Sequence, residues 1–391
     1  MQQVWTKRSI RQAIKEVKEF EYEGDYRPAA RAALKEILEK RMVTVIDEYL
    51  AKMEELELTD RRNGSYTRHI LTEMGDLPLV VVRTRTMSAK EVLKVFSRRS
   101  PAVDRLILGC FTLGLSTRKV GEALLPLLGE RVSASTVSRI AKQLDGAVLA
   151  YHQHPLENRY RFLIFDGVVL KKKTGAGSTK RVVLVALGIT HEGKKEVIDF
   201  RLAPGESQEA WESFFSDLYK RGLTGEGVEL IVVDGGKGLG AALGFVYSQA
   251  PIQRCWAHKD RNVLSYVRKT DHKAVKDDLH KISHAKGRKE AEKMFRAFVF
   301  RLSREYPKAV ECLRKDMDDL LTFFMVPDPN VWSKIRTTNA IERRFVEVRR
   351  RTIPMGVFSD RTSMERILYA VFTYENWKEG TRTPLLLTQN F

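Results

Sequence analysis

Residues 228–243 read VELIVVDGGKGLGAAL: an apolar run from Val228 to Val233 ends in Asp234 and passes through closely spaced glycines into a second apolar stretch. The run has the length and the β-branched content of a buried strand, and the stretch through Leu243 to Tyr247 has helical spacing. Glycines at such a junction serve either a nucleotide's phosphates or an aspartate that holds a metal. A phosphate loop requires G-x-x-x-x-G-K-[ST], and a dinucleotide-binding turn requires G-x-G-x-x-G after the first strand of a βαβ unit. Gly236, Gly238 and Gly240 give only G-x-G-x-G, and TGAGSTK (174–180) shares no more than the composition of a phosphate loop. No nucleotide cofactor is expected. The run-then-Asp-Gly pattern recurs instead in RYRFLIFDGVVL (159–170), where Asp166 ends an earlier strand.

Working outward, KRVVLVALGIT (180–190) and KKEVIDFRLA (194–203) are two further β-rich runs, and KKKTGAGSTK (171–180) has the Gly and Ser content of a hairpin turn. SQEAWESFFSDLYKRG (207–222) follows as a helix with Trp211, Phe214, Phe215 and Leu218 on one face, closed by Gly222. After the Asp234 strand and its helix come a fifth strand, PIQRC (251–255), and the helix WAHKDRNVLSYV (256–267). Three strands in a meander, then helix, strand, helix, strand, helix, is the order of a ribonuclease H-like α/β sheet. In that sheet the Asp166 and Asp234 strands are neighbours, so their carboxylates converge at one edge. Mg²⁺ or Mn²⁺ relieves the repulsion of two such carboxylates and polarises a phosphodiester. For either aspartate alone, capping the turn that follows is the competing role.

The 391-residue chain carries 68 Lys and Arg against 50 Asp and Glu, a formal net charge of +18. That excess favours a polyanionic partner, nucleic acid first. No apolar run is long enough to span a membrane and the N-terminus lacks a signal peptide's apolar core. Cys110, Cys255 and Cys312 are too scattered for a disulfide framework, and a cytoplasmic, nucleoid-associated protein is expected. Ala29 to Met53 places Leu34, Ile37, Leu38, Met42, Val45, Ile46 and Leu50 on one helical face. Arg61 to Arg85, with its Asn-Gly turn signal and the run Leu79 to Val82, predicts a short antiparallel pair with a basic surface. LSTRKVGEALLPLL (115–128), the break GERVS and SASTVSRIAKQL (133–144) have helix-turn-helix spacing. Ser135 is the expected N-cap, and Val137, Ile140, Ala141 and Leu144 form the buried stripe. Ser138, Arg139, Lys142 and Gln143 then face outward, where a recognition helix meets DNA, although an ordinary helical hairpin has the same pattern.

A metal site needs a further carboxylate, and TTNAIERRFVEVRRRT (337–352) supplies one after a Thr-Thr-Asn helix start. With Ile341, Phe345 and Val348 as the core stripe, Glu342 lies on its shoulder, while Glu347 is expected to point further towards solvent. Arg349 falls seven residues after Glu342 on the same side, placed to hold a phosphate. Cys255 and His258 form a Cys-x-x-His pair, but no second pair completes a zinc site. The expectation is a buried Cys255 and a His258 that donates to the scissile phosphate or to an adjacent acid. Leu279, Ile282, Phe298, Leu302, Leu313 and Leu320 recur at helical spacing in the segment between, which predicts a helical insertion splitting the three acids.

FDG around Asp166, VVDGGKGL around Asp234, QRCWAHKDRNV, and TTNAIERRFVEVRRRT followed by GVF resemble the Mutator-like family of bacterial insertion-sequence transposases over roughly Arg61 to Trp377. The resemblance implies a ribonuclease H-like catalytic domain with Asp166, Asp234 and Glu342 as a DDE triad holding two Mg²⁺ or Mn²⁺ ions. It implies DNA strand cleavage and transfer at the terminal inverted repeats of an element, joining to target DNA, a circular DNA intermediate and a homodimer. His258 is then a catalytic helper, and Cys255 and Asn339 are motif residues. Lys171, Lys172, Lys173, Arg343, Arg349 and Arg350 join Ser138, Arg139, Lys142 and Gln143 as DNA contacts. The chain departs from the family pattern at Arg344 and Phe345. A structure-selective nuclease or resolvase and a non-catalytic DNA-binding repressor are the alternative functions. The expected organisation is a helical region over 1–60 for dimerisation or DNA binding, a basic β segment over 61–86, and a helix-turn-helix-like domain over 87–150. The catalytic core follows over 151–262, the helical insertion over 263–330 and the rest of the core over 331–391.

Overall fold

The computed structural model describes residues 26–96, 98–174, 177–355, 358 and 360–382. These fall into two compact units, one containing the chain up to Phe111 and Thr117–Ile140, the other Thr112–Ser116 and the chain from Ala141 onward. No helix among the described residues is long and apolar enough to cross a membrane. The N-terminal residues 1–25, the hairpin-turn residues 175–176 and residues 356–357 of the GVF motif lie outside the described residues, as do the side chains of Lys171, Lys172 and Lys173.

In the first unit a long helix, α1 (Arg27–Glu55), packs Met42 and Ile46 against Ile70, Leu77, Leu79 and Val81 of a hairpin made by β1 (Arg62–Thr72) and β2 (Gly75–Thr84). The alternation Leu77, Leu79, Val81 is the period of a strand with one buried face. Ile37, expected on the buried face of α1, is 64% exposed, because the packed stripe is Leu34, Leu38, Met42, Ile46 and Leu50 and Ile37 lies off it. The Asn-Gly signal is not the turn. Gly64, at φ +73°, sits at an irregularity inside β1 between Arg62 and Ser65, and the turn is made at Thr72↔Gly75 with Gly75 at φ +110°. Left-handed geometry explains glycine at both places without making both of them turns.

The helices α2 (Pro101–Thr112), α3 (Thr117–Leu128) and α4 (Ala134–Ala141) follow. A side chain at Gly121 would collide with the carbonyl of Val132, so glycine lets the α3–α4 connection close tightly. Val137, Ile140, Ala141 and Leu144 are buried, and Ser138, Arg139, Lys142 and Gln143 are exposed, as their spacing predicts. The cap is Ser133 rather than Ser135: Ser133 Oγ accepts from Thr136 N at 3.2 Å. The helix also ends earlier than expected, and Lys142 and Gln143 lie in a turn before α5 (Leu144–Gln153).

The second unit is built on a five-stranded sheet in the order β5-β4-β3-β6-β7. β3 (Tyr160–Thr174), β4 (Gly177–Thr190) and β5 (Lys195–Ala203) are an antiparallel meander, while β6 (Leu230–Val233) and β7 (Ile252–Arg254) run parallel to β3. The strands are buried on both faces, which is why they read as continuous apolar runs. One face packs on α6 (Gln208–Lys220) and α7 (Lys237–Val246) through Trp211, Phe214, Phe215, Leu239 and Leu243. Each large aromatic taken from water here contributes about 2–3 kcal/mol. Ser207 caps α6 by accepting from Ala210 N, and Leu223 and Tyr247 close the layer.

After β7 come α8 (Trp256–Leu264), α9 (His272–Ser283), α10 (Arg288–Leu302), α11 (Pro307–Arg314), α12 (Met317–Leu320), α13 (Pro329–Ile335), α14 (Asn339–Met355) and α15 (Arg361–Lys378). Buried polar groups tie the α9–α13 segment to β7 and α8. Gln253, fully buried, donates to Leu320 O at 3.0 Å and accepts from Phe323 N at 2.7 Å, and the Trp256 indole donates to Leu320 O at 2.8 Å. Lys259 and Arg254 both pair with the buried Asp316. Losing Asp316 would leave two cations without their counter-ion, the buried Lys259 among them, at a cost of about 3–5 kcal/mol.

Candidate active site

Asp166 does not end its strand as expected: β3 continues to Thr174 and Asp166 pairs with Val185 of β4, whereas Asp234 follows directly on β6. The two come side by side because β3 and the shorter β6 are paired in register, Phe165 opposite Val233. Asp166 is 6% exposed and Asp234 half-buried. Asp234 caps the turn that follows it, its Oδ1 accepting from Gly236 N at 2.8 Å, whereas Asp166, within a continuing strand, caps no turn and its Oδ1 accepts from the adjacent Gly167 N at 2.8 Å. In each residue only Oδ1 is engaged among the described residues. Burial, then the charge of Asp234, pushes the Asp166 carboxyl up to about 8, with Glu342 and Glu206 adding to the effect.

The glycines after both aspartates make room for the protein itself. A side chain at Gly167 would overlap the Glu206 carboxylate, and one at Gly238 would meet the backbone of Glu206 and Gln208 at 2.9 Å. The turn between β5 and α6 therefore presses on both glycines and delivers a fourth carboxylate, Glu206, beside the two aspartates. Burial and the neighbouring Asp234 raise its pKa. Gly235, at φ +91°, lies under the Arg254 guanidinium, which donates to its carbonyl at 2.8 Å. Sequence reasoning passed over Glu206; its only signal is a glutamate in a Pro-Gly turn directly before a capped helix.

Glu342 approaches from another direction, on the first turn of α14. Cys255, which ends β7 through Cys255 N to Val233 O at 2.7 Å, offers its sulfur to Thr338 N at 3.2 Å and to Thr338 Oγ1 at 3.4 Å. His258 Nδ1 lies 3.5 Å from Thr338 Oγ1, and its Nε2 is 3.7 Å from Glu342 Oε1. One helical turn further, Arg261 Nη2 donates to Glu342 Oε1 at 3.1 Å. Burial and then the Arg261 charge hold the His258 imidazole below its usual range, so it is neutral at neutral pH. The Cys-x-x-His pair thus fastens the start of α14 to α8, and His258 is turned to an adjacent acid. Asn339 opens α14 with its N–H near Thr337 Oγ1 at 3.4 Å.

Further along α14 the expectation for Glu347 is overturned. Its side chain is 16% exposed, against 33% for Glu342, and it is drawn inward by Arg350 and Arg351. Arg343, Arg349 and Arg350 are exposed, Arg350 being paired with Glu347. The two residues that depart from the family pattern are structural: Phe345 is in the core, and the buried Arg344 pairs with Glu375 and Glu379 of the α15 end.

A divalent ion suits the chemistry of this donor set: hard carboxylate oxygens, with the Asp166 carboxyl raised by burial and then by its neighbours' charge. As the side chains stand, no three His, Cys, Asp or Glu among the described residues converge on one point. Glu342 is engaged by Arg261 instead.

A sequence model described as "Transposase, Mutator family" matches residues 1–380. The chain is 32% identical over 362 residues to the transposase for insertion sequence element ISRM5 of Rhizobium meliloti, covering 91% of this chain and 89% of that protein. It is 31% identical over 322 residues to the transposase for IS905 of Lactococcus lactis, covering 82% and 81%. It is also 31% identical over 330 residues to the transposase for IS256 in transposon Tn4001 of Staphylococcus aureus, covering 82% and 83%. With a family match spanning nearly its whole length and relatives that are insertion-sequence transposases throughout, the chain belongs to the Mutator family of transposases and is a DNA transposase.

Proposed function

We propose that this transposase binds the terminal inverted repeats of its insertion sequence and performs DDE-type strand cleavage and strand transfer at Asp166, Asp234 and Glu342. The observation that carries the proposal is the grouping of the acids around Asp166: Asp234 comes beside it through the pairing of β6 with β3, and Glu342 stands on a helix fastened to β7, near enough that the charges of Asp234 and Glu342 add to burial in raising the Asp166 carboxyl. The sheet order β5-β4-β3-β6-β7, with Asp166 within β3 and Asp234 directly after the parallel β6, favours the ribonuclease H-like reading. When bound, two Mg²⁺ or Mn²⁺ ions would polarise the scissile phosphodiester and lower the pKa of an attacking water or 3′-hydroxyl. Asp166, Asp234 and Glu342 would hold those ions. His258, neutral and beside Glu342, keeps that carboxylate oriented and offers an N–H as charge builds on the phosphate.

DNA binding is assigned to the exposed face of α4 and the turn after it, with Ser138, Arg139, Lys142 and Gln143, as a helix-turn-helix recognition surface. Beside it, Arg98, Arg99 and Arg131 line a cavity with Ser133 and Thr136 at the start of α4, together with Asp76 and Glu130, and Arg99 and Arg131 are paired with Asp104 and Glu122. Lys171, Lys172, Lys173, Arg343, Arg349 and Arg350 would steady DNA nearer the carboxylates. Holding two element ends at once requires at least a homodimer, and the route through a circular DNA intermediate follows the family resemblance.

The test is incubation of the full chain with Mg²⁺ and duplex DNA carrying the inverted repeats that flank its gene. Asp166→Asn, Asp234→Asn and Glu342→Gln should each lower cleavage by about a thousandfold or more while leaving end binding nearly unchanged. Near-normal cleavage by a variant removes that residue from the triad. Cleavage without joining by the parent protein would favour a nuclease, and binding without cleavage a repressor.

A further inference from the structure

The geometry points to Arg261 as an internal cation that occupies Glu342 in the metal-free protein and moves to a DNA phosphate when the site is loaded. The inference rests on the proposed carboxylate site and adds to it a residue with two alternative partners. Its starting point is the pair itself. Arg261 Nη2 donates to Glu342 Oε1 at 3.1 Å, across 81 positions of sequence, and this is the same oxygen that faces His258.

The Arg261 side chain is held within α8 by a single bond and is otherwise open to solvent. Its Nε donates to Ala257 O at 3.2 Å within α8, while the side chain is 62% exposed. A guanidinium so exposed holds a carboxylate weakly, because water screens the pair, so a dication competes it away readily. Glu342 is only 33% exposed, its N–H donates to Thr338 O at 3.0 Å on the first turn of α14 and its Oε1 lies 3.7 Å from His258 Nε2, so it is the arginine that gives way. Once displaced, the guanidinium remains within one side chain's length of Glu342 and therefore of any phosphodiester bound there. Its planar fork matches two phosphate oxygens. The exchange keeps the charge at the carboxylate balanced at each stage: arginine without metal, metal with arginine passed on to the substrate.

A residue that merely pins α8 to α14 and a cation that competes with metal give opposite signs in one measurement. Mn²⁺ binding to the full chain, without DNA, is followed by calorimetry for the parent, Arg261→Gln, Arg261→Lys and Glu342→Gln. Arg261→Gln is expected to bind Mn²⁺ about two- to fivefold more tightly, the strength of an exposed ion pair, and yet to cleave end DNA about tenfold or more slowly. Arg261→Lys should return Mn²⁺ affinity to the parent value and restore cleavage only in part, since an ammonium lacks the fork. Equal or weaker Mn²⁺ binding by Arg261→Gln overturns the inference. If the parent shows no Mn²⁺ binding that Glu342→Gln removes, the metal-site reading itself fails, and this inference falls with it.

Discussion

The strand-borne and helix-borne acids of the candidate site are positioned by different means. Asp166 and Asp234 are set by main-chain pairing: once Phe165 lies opposite Val233, no side chain has a say in where the two aspartates emerge. Glu342 depends largely on side chains, through the Cys255 sulfur, the Thr338 hydroxyl, His258 and Arg261, beside one main-chain bond from Trp256 N to Arg336 O. Backbone placement is robust and leaves two like charges crowded together. Side-chain placement is adjustable and exposes the site to changes at residues that never touch the substrate.

The crowding should be visible as stability. The Asp166 carboxyl sits well above its unfolded value, so the fold favours its protonated form. Its stabilising contribution is full below about pH 4 and is lost as pH rises through about 8. In a metal chelator, the parent should lose stability on the order of several kcal/mol across that window, and Asp166→Asn should flatten the profile. Denaturant unfolding of both proteins from pH 4 to 9 decides it, and parallel profiles would mean that the two aspartates are not crowded. A smaller effect is expected from the other placement. His258→Ala should slow cleavage by about a hundredfold and leave Mn²⁺ binding and fold in place. Stoichiometric zinc lost with His258 would instead make it a ligand. Smaller again, Cys255→Ala should lower kcat by about tenfold through drift of Glu342, with KM for DNA unchanged, and Cys255→Ser should recover most of it because the acceptor is restored. Equal rates for Ala and Ser would show that the sulfur only fills space.

How far the sequence could be read follows the same division. The β runs holding Asp166 and leading to Asp234, the aromatic face of α6 and the buried stripe Val137, Ile140, Ala141 and Leu144 were legible, because period and composition are local properties, but the end of the Asp166 strand was not, since β3 runs on to Thr174. Glu342 was legible from its position on a helical stripe. Glu206 was not, since what recruits it is the return of the β5–α6 turn onto Gly167 and Gly238. Glu347 was misjudged because Arg351, one turn on, draws it inward. The Asn63-Gly64 pair misled for another reason: a positive φ is needed at an irregular strand position as much as at a turn, and sequence does not separate the two. Arg261 had no legible role, because its partner stands on a helix reached only after the whole insertion.

That insertion leaves the sheet and returns to it at one place. Trp256 N donates to Arg336 O at 3.0 Å, and Cys255 meets Thr338 beside it although the two are 83 positions apart. A segment whose ends are fastened together behaves as a closed loop, and the entropy of closing a loop grows only with the logarithm of its length: doubling it costs about 0.6 kcal/mol. Helices could be added to or taken from the far part of this loop with little penalty at the neck, so long as Asp316 and the Leu320 carbonyl still meet β7 and α8. The carboxylates are insulated from the size of what divides them, and the insertion can be rebuilt for a different contact without redesigning the chemistry.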